Sequence, residues 1–141
     1  MDKLYELALK TEDHTQMKDI TAQVREAVRN SGATEGICTV FVPHTTAAVT
    51  INMNGTSDLL DDFMREMNRV VPWKDPYRHH SEGNSAAHVK ASIMGFSENI
   101  IIEKGELMLD ESQSIYFLEY DGPKERKILV KIIGGGTAVK L

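Results

Sequence analysis

At 141 residues the chain has the length of one ordinary domain, and a composition of 41% hydrophobic and 26% charged residues argues against disorder or a fibrous architecture. Sixteen Lys and Arg against twenty-one Asp and Glu leave a net charge of -5, too little positive charge to hold a phosphate backbone, so no nucleic-acid partner is expected. No apolar run is long enough to span a bilayer, and MDKLYELALK lacks the apolar block of a signal peptide, which predicts a cytoplasmic protein with no membrane partner. One domain over 1–141 is expected, with 134–141 as a mobile tail after Gly134-Gly135-Gly136.

Lys3 to Lys10 alternates with period two, Tyr5, Leu7 and Leu9 on one side and Leu4, Glu6 and Ala8 on the other, and predicts a half-buried strand. His14 follows in a polar stretch, as a solvated loop residue. From Asp19, Ile20, Val24, Ala27 and Val28 recur at helical spacing until Asn30-Ser31-Gly32 stops the helix. Gly36 to Pro43 is rich in β-branched residues. It contains the only cysteine, Cys38, which reads as a buried thiol filling core space. After His44-Thr45-Thr46 strand character resumes over Ala47 to Asn52, which places His44 between two strands or on a bend in one.

Ser57 to Val71 predicts a second helix, with Leu59, Leu60, Phe63, Met64, Met67, Val70 and Val71 as one apolar stripe, Thr56 or Ser57 as cap and Pro72 as stop. Its aspartates Asp58, Asp61 and Asp62 fit a solvated first turn better than a cation site. Pro72 to Asn84 reads as an irregular, functional loop, and Ser85 to Met94 as a short helix stopped by Gly95. Strands follow at Asn99 to Glu103, Glu106 to Leu109, Ser114 to Tyr120 and Arg126 to Ile133, the last two as a hairpin about Asp121-Gly122-Pro123. Strand runs interrupted by about three helices, without regular β-α alternation, predict an α+β fold: a largely antiparallel sheet with helices on one face.

Chemistry, if present, centres on the histidines, with His44, His79 or His80, and His88 as the candidates. Three neutral imidazoles suit Zn, Mn, Fe or Ni and leave a position open for water or substrate. No HxxxH or HExxH spacing links them, however, and scattered structural histidines would look the same. Neighbours in an extended segment point opposite ways, so one of His79 and His80 is a spectator. The helix amino end at Gly83-Asn84-Ser85, with Lys90 nearby, suits either an anion or a plain cap. Glu119 and Arg126 read most simply as an ion pair across the hairpin.

The succession His44-Thr45-Thr46-Ala47-Ala48-Val49-Thr50-Ile51-Asn52, Tyr77-Arg78-His79, Glu82-Gly83-Asn84, Ala87-His88, Gln113-Ser114-Ile115 and Glu119-Tyr120-Asp121-Gly122-Pro123-Lys124-Glu125-Arg126 resembles the YjbQ family over nearly the whole chain. That resemblance implies a homotrimer with activity like that of secondary thiamine-phosphate synthases, which join a pyrimidine pyrophosphate to a thiazole phosphate. It implies a divalent metal, zinc before others, on His44, His79 and His88, with His80 outside. It also implies Thr45, Asn52, Lys90 and Gln113 as contacts to a small phosphorylated substrate, and Glu119 and Arg126 as catalytic groups. A trimeric metal- or metabolite-binding protein, or a metal-water hydrolase with Glu119 as general base, are the alternative readings. The chain departs from the family pattern in two places: Met53 stands where Glu is usual, and Asp110-Glu111-Ser112-Gln113 where Gly-x-Trp-Gln is usual.

Overall fold

A computed structural model describes residues 2–79 and 83–141. In chain order the described elements are β1 (Lys3–Lys10), β2 (Gln16–Asp19), α1 (Thr21–Ser31), β3 (Glu35–Phe41), β4 (Ala47–Met53), α2 (Ser57–Val70), α3 (Ser85–Met94), β5 (Ser97–Glu103), β6 (Glu106–Leu107), β7 (Gln113–Glu119) and β8 (Glu125–Gly134). The α+β class and the three helices are as expected, and every described strand pair is antiparallel.

The expected single sheet is instead two, of order β1-β8-β3-β5-β6 and β2-β7-β4. The hairpin expected of β7 and β8 is therefore corrected: β7 pairs with β2 and β4, and β8 with β1 and β3. Period-two alternation says that a segment is extended, not which neighbour it will choose. The four-residue β2, too short to show alternation, is an addition to the sequence reading.

Why β7 is an almost unbroken apolar run becomes clear from its place between two cores. Ile115 and Phe117 face the first, shared with α1 and the inner side of the large sheet, where Val24, Val28, Cys38, Val40, Ile100, Val130 and Ile132 are buried. Tyr116, Leu118 and Tyr120 face the second, where Ala87 and Ala91 of α3 and Leu60, Phe63 and Met64 of α2 cover the small sheet. A strand buried on both faces has no polar side to alternate with. Helix α2 itself has no fully buried residue, and neither it nor α3 has the side-chain cap expected at its amino end.

The outer face of the large sheet is bare among the described residues. Leu4, Ile37, Phe41, Ile101, Met108 and Ile133 are exposed there, and the register sets Ile133, Ile37 and Ile101 side by side across three strands. The tail begins tied down, since Gly135 donates its amide to the Glu35 carbonyl at 3.0 Å. No helix among the described residues is long and apolar enough to cross a membrane.

Candidate functional site

The site grows from the connection that carries the chain from β7 to β8. Glu119, wholly buried, ends β7, and Arg126 lies near the start of β8. Arg126 donates from Nε to Glu119 Oε1 at 2.8 Å and from Nη2 to Glu119 Oε2. Nη2 also donates to Thr46 Oγ1 at 2.9 Å. Thr11 donates its hydroxyl to Oε1 at 2.8 Å, and the Asp121 amide donates to Oε2 at 3.1 Å. Burial alone would raise the Glu119 pKa, but the Arg126 and Thr11 hydrogen bonds outweigh it and hold the carboxyl below its ordinary range.

Those bonds bear on two expectations. Glu119 and Arg126 do form the expected ion pair, but it is buried and ties two sheets together instead of crossing a hairpin. The second concerns Glu119 as a general base: in this chain both its oxygens already accept hydrogen bonds and are sealed from solvent, and the carboxylate holds Arg126 in place. The guanidinium's bonds run through Nε and Nη2, which leaves Nη1, and Arg126 lines an open cleft of about 500 Å³ with His44, Lys10, Glu125 and Lys127.

His44 reaches that cleft because β3 ends early. The register pairing Phe41 with Leu129 would next set Pro43 opposite Lys127, but proline has no N–H to continue the ladder. The His44 ring fills the gap, its Nε2 lying 3.0 Å from the Lys127 amide nitrogen and 3.1 Å from its carbonyl oxygen. Burial, with the nearby Arg126 charge, pushes the imidazole below its ordinary pKa. His44 is thus neutral at neutral pH, with Nδ1 as its remaining nitrogen.

On the other side of the β7–β8 connection, Asp121 leads to His79. Asn84 donates from Nδ2 to Asp121 Oδ2 at 2.9 Å, while its Oδ1 lies 3.1 Å from His79 Nε2. The His79 and His88 rings meet edge to face with centroids 5.6 Å apart. Two imidazoles on one tetrahedral zinc, with Zn–N near 2.1 Å, have ring centres about 5 Å apart, so this pair suits two ligand positions. Among the described residues of one chain, no three His, Cys, Asp or Glu side chains form a metal-holding group. His44, His79 and His88 are a pair and a separate third. His80 and Glu82 lie outside the described residues.

The remaining candidates divide. Thr45 is exposed beside His44. Gln113 opposes Met53 at one end of the β4–β7 pair, whereas Glu119 opposes Ala47 at the other; six strand residues put them about 20 Å apart. Asn52 shares the Gln113 end, where its Oδ1 accepts the Met53 amide, and Gln113 lines a separate cleft with Arg25 and Arg29. Lys90 is buried: its ammonium donates to Asn68 Oδ1 and lies 5.6 Å from the Tyr120 ring centre. Desolvation lowers its pKa. None of these three joins the histidines within one chain. The departing segment closes on itself, Asp110 accepting the Ser112 amide at 3.1 Å and Gln113 accepting the Asp110 amide at 2.8 Å. His14 is exposed, as expected, with its ring edge-on to Trp73 at 4.4 Å between centroids and its Nε2 3.8 Å from Asp121 Oδ1.

Sequence reasoning missed Asn84 and Asp121, the residues that link the carboxylate network to His79. Asn84 had the look of a helix cap and Asp121 of a turn, and local pattern holds no signal that their side chains meet.

Two antiparallel sheets, α2 and α3 over the smaller, and a buried Arg–carboxylate pair with His44 beside it and the His79–His88 pair reached through Asp121 and Asn84 define a small α+β protein with a histidine-bearing polar region. The family described as UPF0047 protein YjbQ-like matches residues 5–135, and the chain belongs to that family. It is 41% identical over 128 residues to the UPF0047 protein YugU of Bacillus subtilis, covering 91% of this chain and 97% of that one. A UPF0047 protein of Methanocaldococcus jannaschii is 40% identical over 131 residues, or 93% and 94% of the two chains. The crystal structure of a YjbQ/UPF0047 family protein from Clostridium acetobutylicum superposes with TM-score 0.89 at 50% identity, covering 92% and 99%. That of a YbjQ-like protein from Sulfolobus solfataricus gives 0.91 at 31%, covering 96% and 100%.

Proposed function

We propose that the chain is a divalent-metal protein, zinc being favoured by imidazole ligands, in which His79 and His88 of one subunit are joined by His44 of another in a homotrimer. The observation that carries this reading is the His79–His88 pair, two adjacent imidazoles of which one has its Nε2 already hydrogen-bonded. The bare outer face of the large sheet supports the assembly, because the His44 cleft includes Glu6, Ala8 and Lys127 from the same sheet and lies at its end.

The activity we propose is transfer to or from a phosphorylated small molecule, in the manner of thiamine-phosphate synthesis: the thiazole nitrogen bonds to the pyrimidine methylene carbon as the carbon–oxygen bond to pyrophosphate breaks. A bound divalent ion would supply positive charge to the departing pyrophosphate. Arg126, fixed by Glu119 and Thr46, presents a rigid cation to an anion in the His44 cleft. A metal- or metabolite-binding protein without turnover is the second reading; the saturation of Glu119 counts against the third, a metal-water hydrolase with Glu119 as general base.

Metal analysis of the wild type beside His44→Ala, His79→Ala and His80→Ala tests the assignment, with loss expected in the first two and retention in the third. Equal loss in all three, or none, contradicts it. The two readings separate on the metal-loaded protein given both thiamine precursors: product formation supports transfer, and metal retention without product supports binding.

A further inference from the structure

His79 lies in an irregular loop, yet its ring is held on one side by two residues that themselves form a chain. Asn84 occupies the N-cap position of α3, where a side-chain bond to the helix amides is common, but it makes no such cap. Its amide instead bridges Asp121 and His79.

The chemistry of that bridge fixes the direction of each bond. Burial would raise the Asp121 pKa, but bonds from Asn84 and Lys124 bring it below the ordinary value, so the carboxylate is ionised and only accepts. Asn84 must therefore turn its NH2 to Asp121 and its oxygen to His79. An amide oxygen also only accepts, so the proton between Asn84 and His79 sits on Nε2 of the imidazole, and in the neutral ring Nδ1 then carries the lone pair. The Asn84 carbonyl meanwhile accepts the backbone amide of His88 at 3.4 Å and of Ala87 at 3.0 Å, which anchors the first turn of α3 to the same residue.

We infer that Asp121 and Asn84 are positioning residues, a carboxylate–amide relay that sets His79 in its Nε2–H form and leaves Nδ1 as the nitrogen that binds. The inference deepens the metal reading above, resting on it only for the use made of Nδ1.

Nitrogen-15 correlation spectra of the metal-free full chain test the relay. The wild type should show His79 wholly as Nε2–H. Asn84→Ala and Asp121→Ala should give mixed tautomers, while Asp121→Asn, which still offers an oxygen to the Asn84 amide, should keep the wild-type form. Zinc affinity, measured by chelator competition, should fall about 10- to 100-fold in the two alanine variants. An Nδ1–H ring in the wild type overturns the relay, as does an unchanged tautomer in both alanine variants. Should Asn84→Ala fail to fold, Asp121→Ala and Asp121→Asn still decide. A wild type that shows Nε2–H and takes up no zinc leaves the relay standing and overturns the metal reading alone.

Discussion

Arg126 and Glu119 illustrate how burial changes what a substitution tests. On an exposed sheet their pairing would be worth at most about 1 kcal/mol, and Arg126→Gln would report on substrate charge alone. Here the guanidinium is the main partner of a carboxylate with no solvent contact. Arg126→Gln should therefore destabilise the fold by about 3–5 kcal/mol in urea unfolding, because it strands a buried charge. The double variant Arg126→Met with Glu119→Leu should cost clearly less than the sum of its single changes, and additivity would refute the coupling. The same pair sets a pH dependence. Glu119 is below its ordinary pKa when folded, so the unfolded chain takes up its proton first as pH falls. Stability from this group is full above about pH 4.3 and is lost progressively below it. Glu119→Gln should flatten that acid limb of urea midpoint against pH; an unchanged limb would show that Glu119 is not depressed.

At the scale of elements, the β7–β8 connection does what a hairpin turn cannot, passing the chain between sheets while setting Asp121 against Asn84. Gly122 makes this possible. A Cβ there would lie 2.3 Å from the Asp13 carbonyl oxygen and 2.9 Å from Thr11 Oγ1, and the first of these is backbone that cannot swing aside. Gly122→Ala should displace the connection, lower the thermal midpoint and loosen the Thr11–Glu119 contact. A midpoint within error of wild type would mean that the β1–β2 segment yields easily. Helix α2 is the contrasting element: its apolar stripe was plain in the sequence, yet its residues are at most half-buried over the second core.

For the whole molecule, the bare face of the large sheet is the largest departure from what one isolated chain should present to water. Covering it by a second and third copy would place the His44 cleft at a boundary. Light scattering at micromolar concentration should give three chains, and Ile37→Glu should dissociate them and lower metal content together. A clean wild-type monomer would end the trimer reading, and a monomeric variant that keeps its metal would end the shared-site reading.

The residues that resemble the family were legible as a succession along the chain, as were the α+β class, the three helices and most strand positions, because each depends on local periodicity and on residues that start and stop elements. What the sequence by itself determined was which segments are extended or helical and which side chains are polar enough to matter. Only the tertiary structure decided that β7 and β8 belong to different sheets, that Glu119 is sealed while Arg126 borders a cleft, and that Asn84 and Asp121 meet near His79. Pairing partners and burial depend on contacts between residues far apart in the chain, for which a pattern read over a few neighbours holds no physical record.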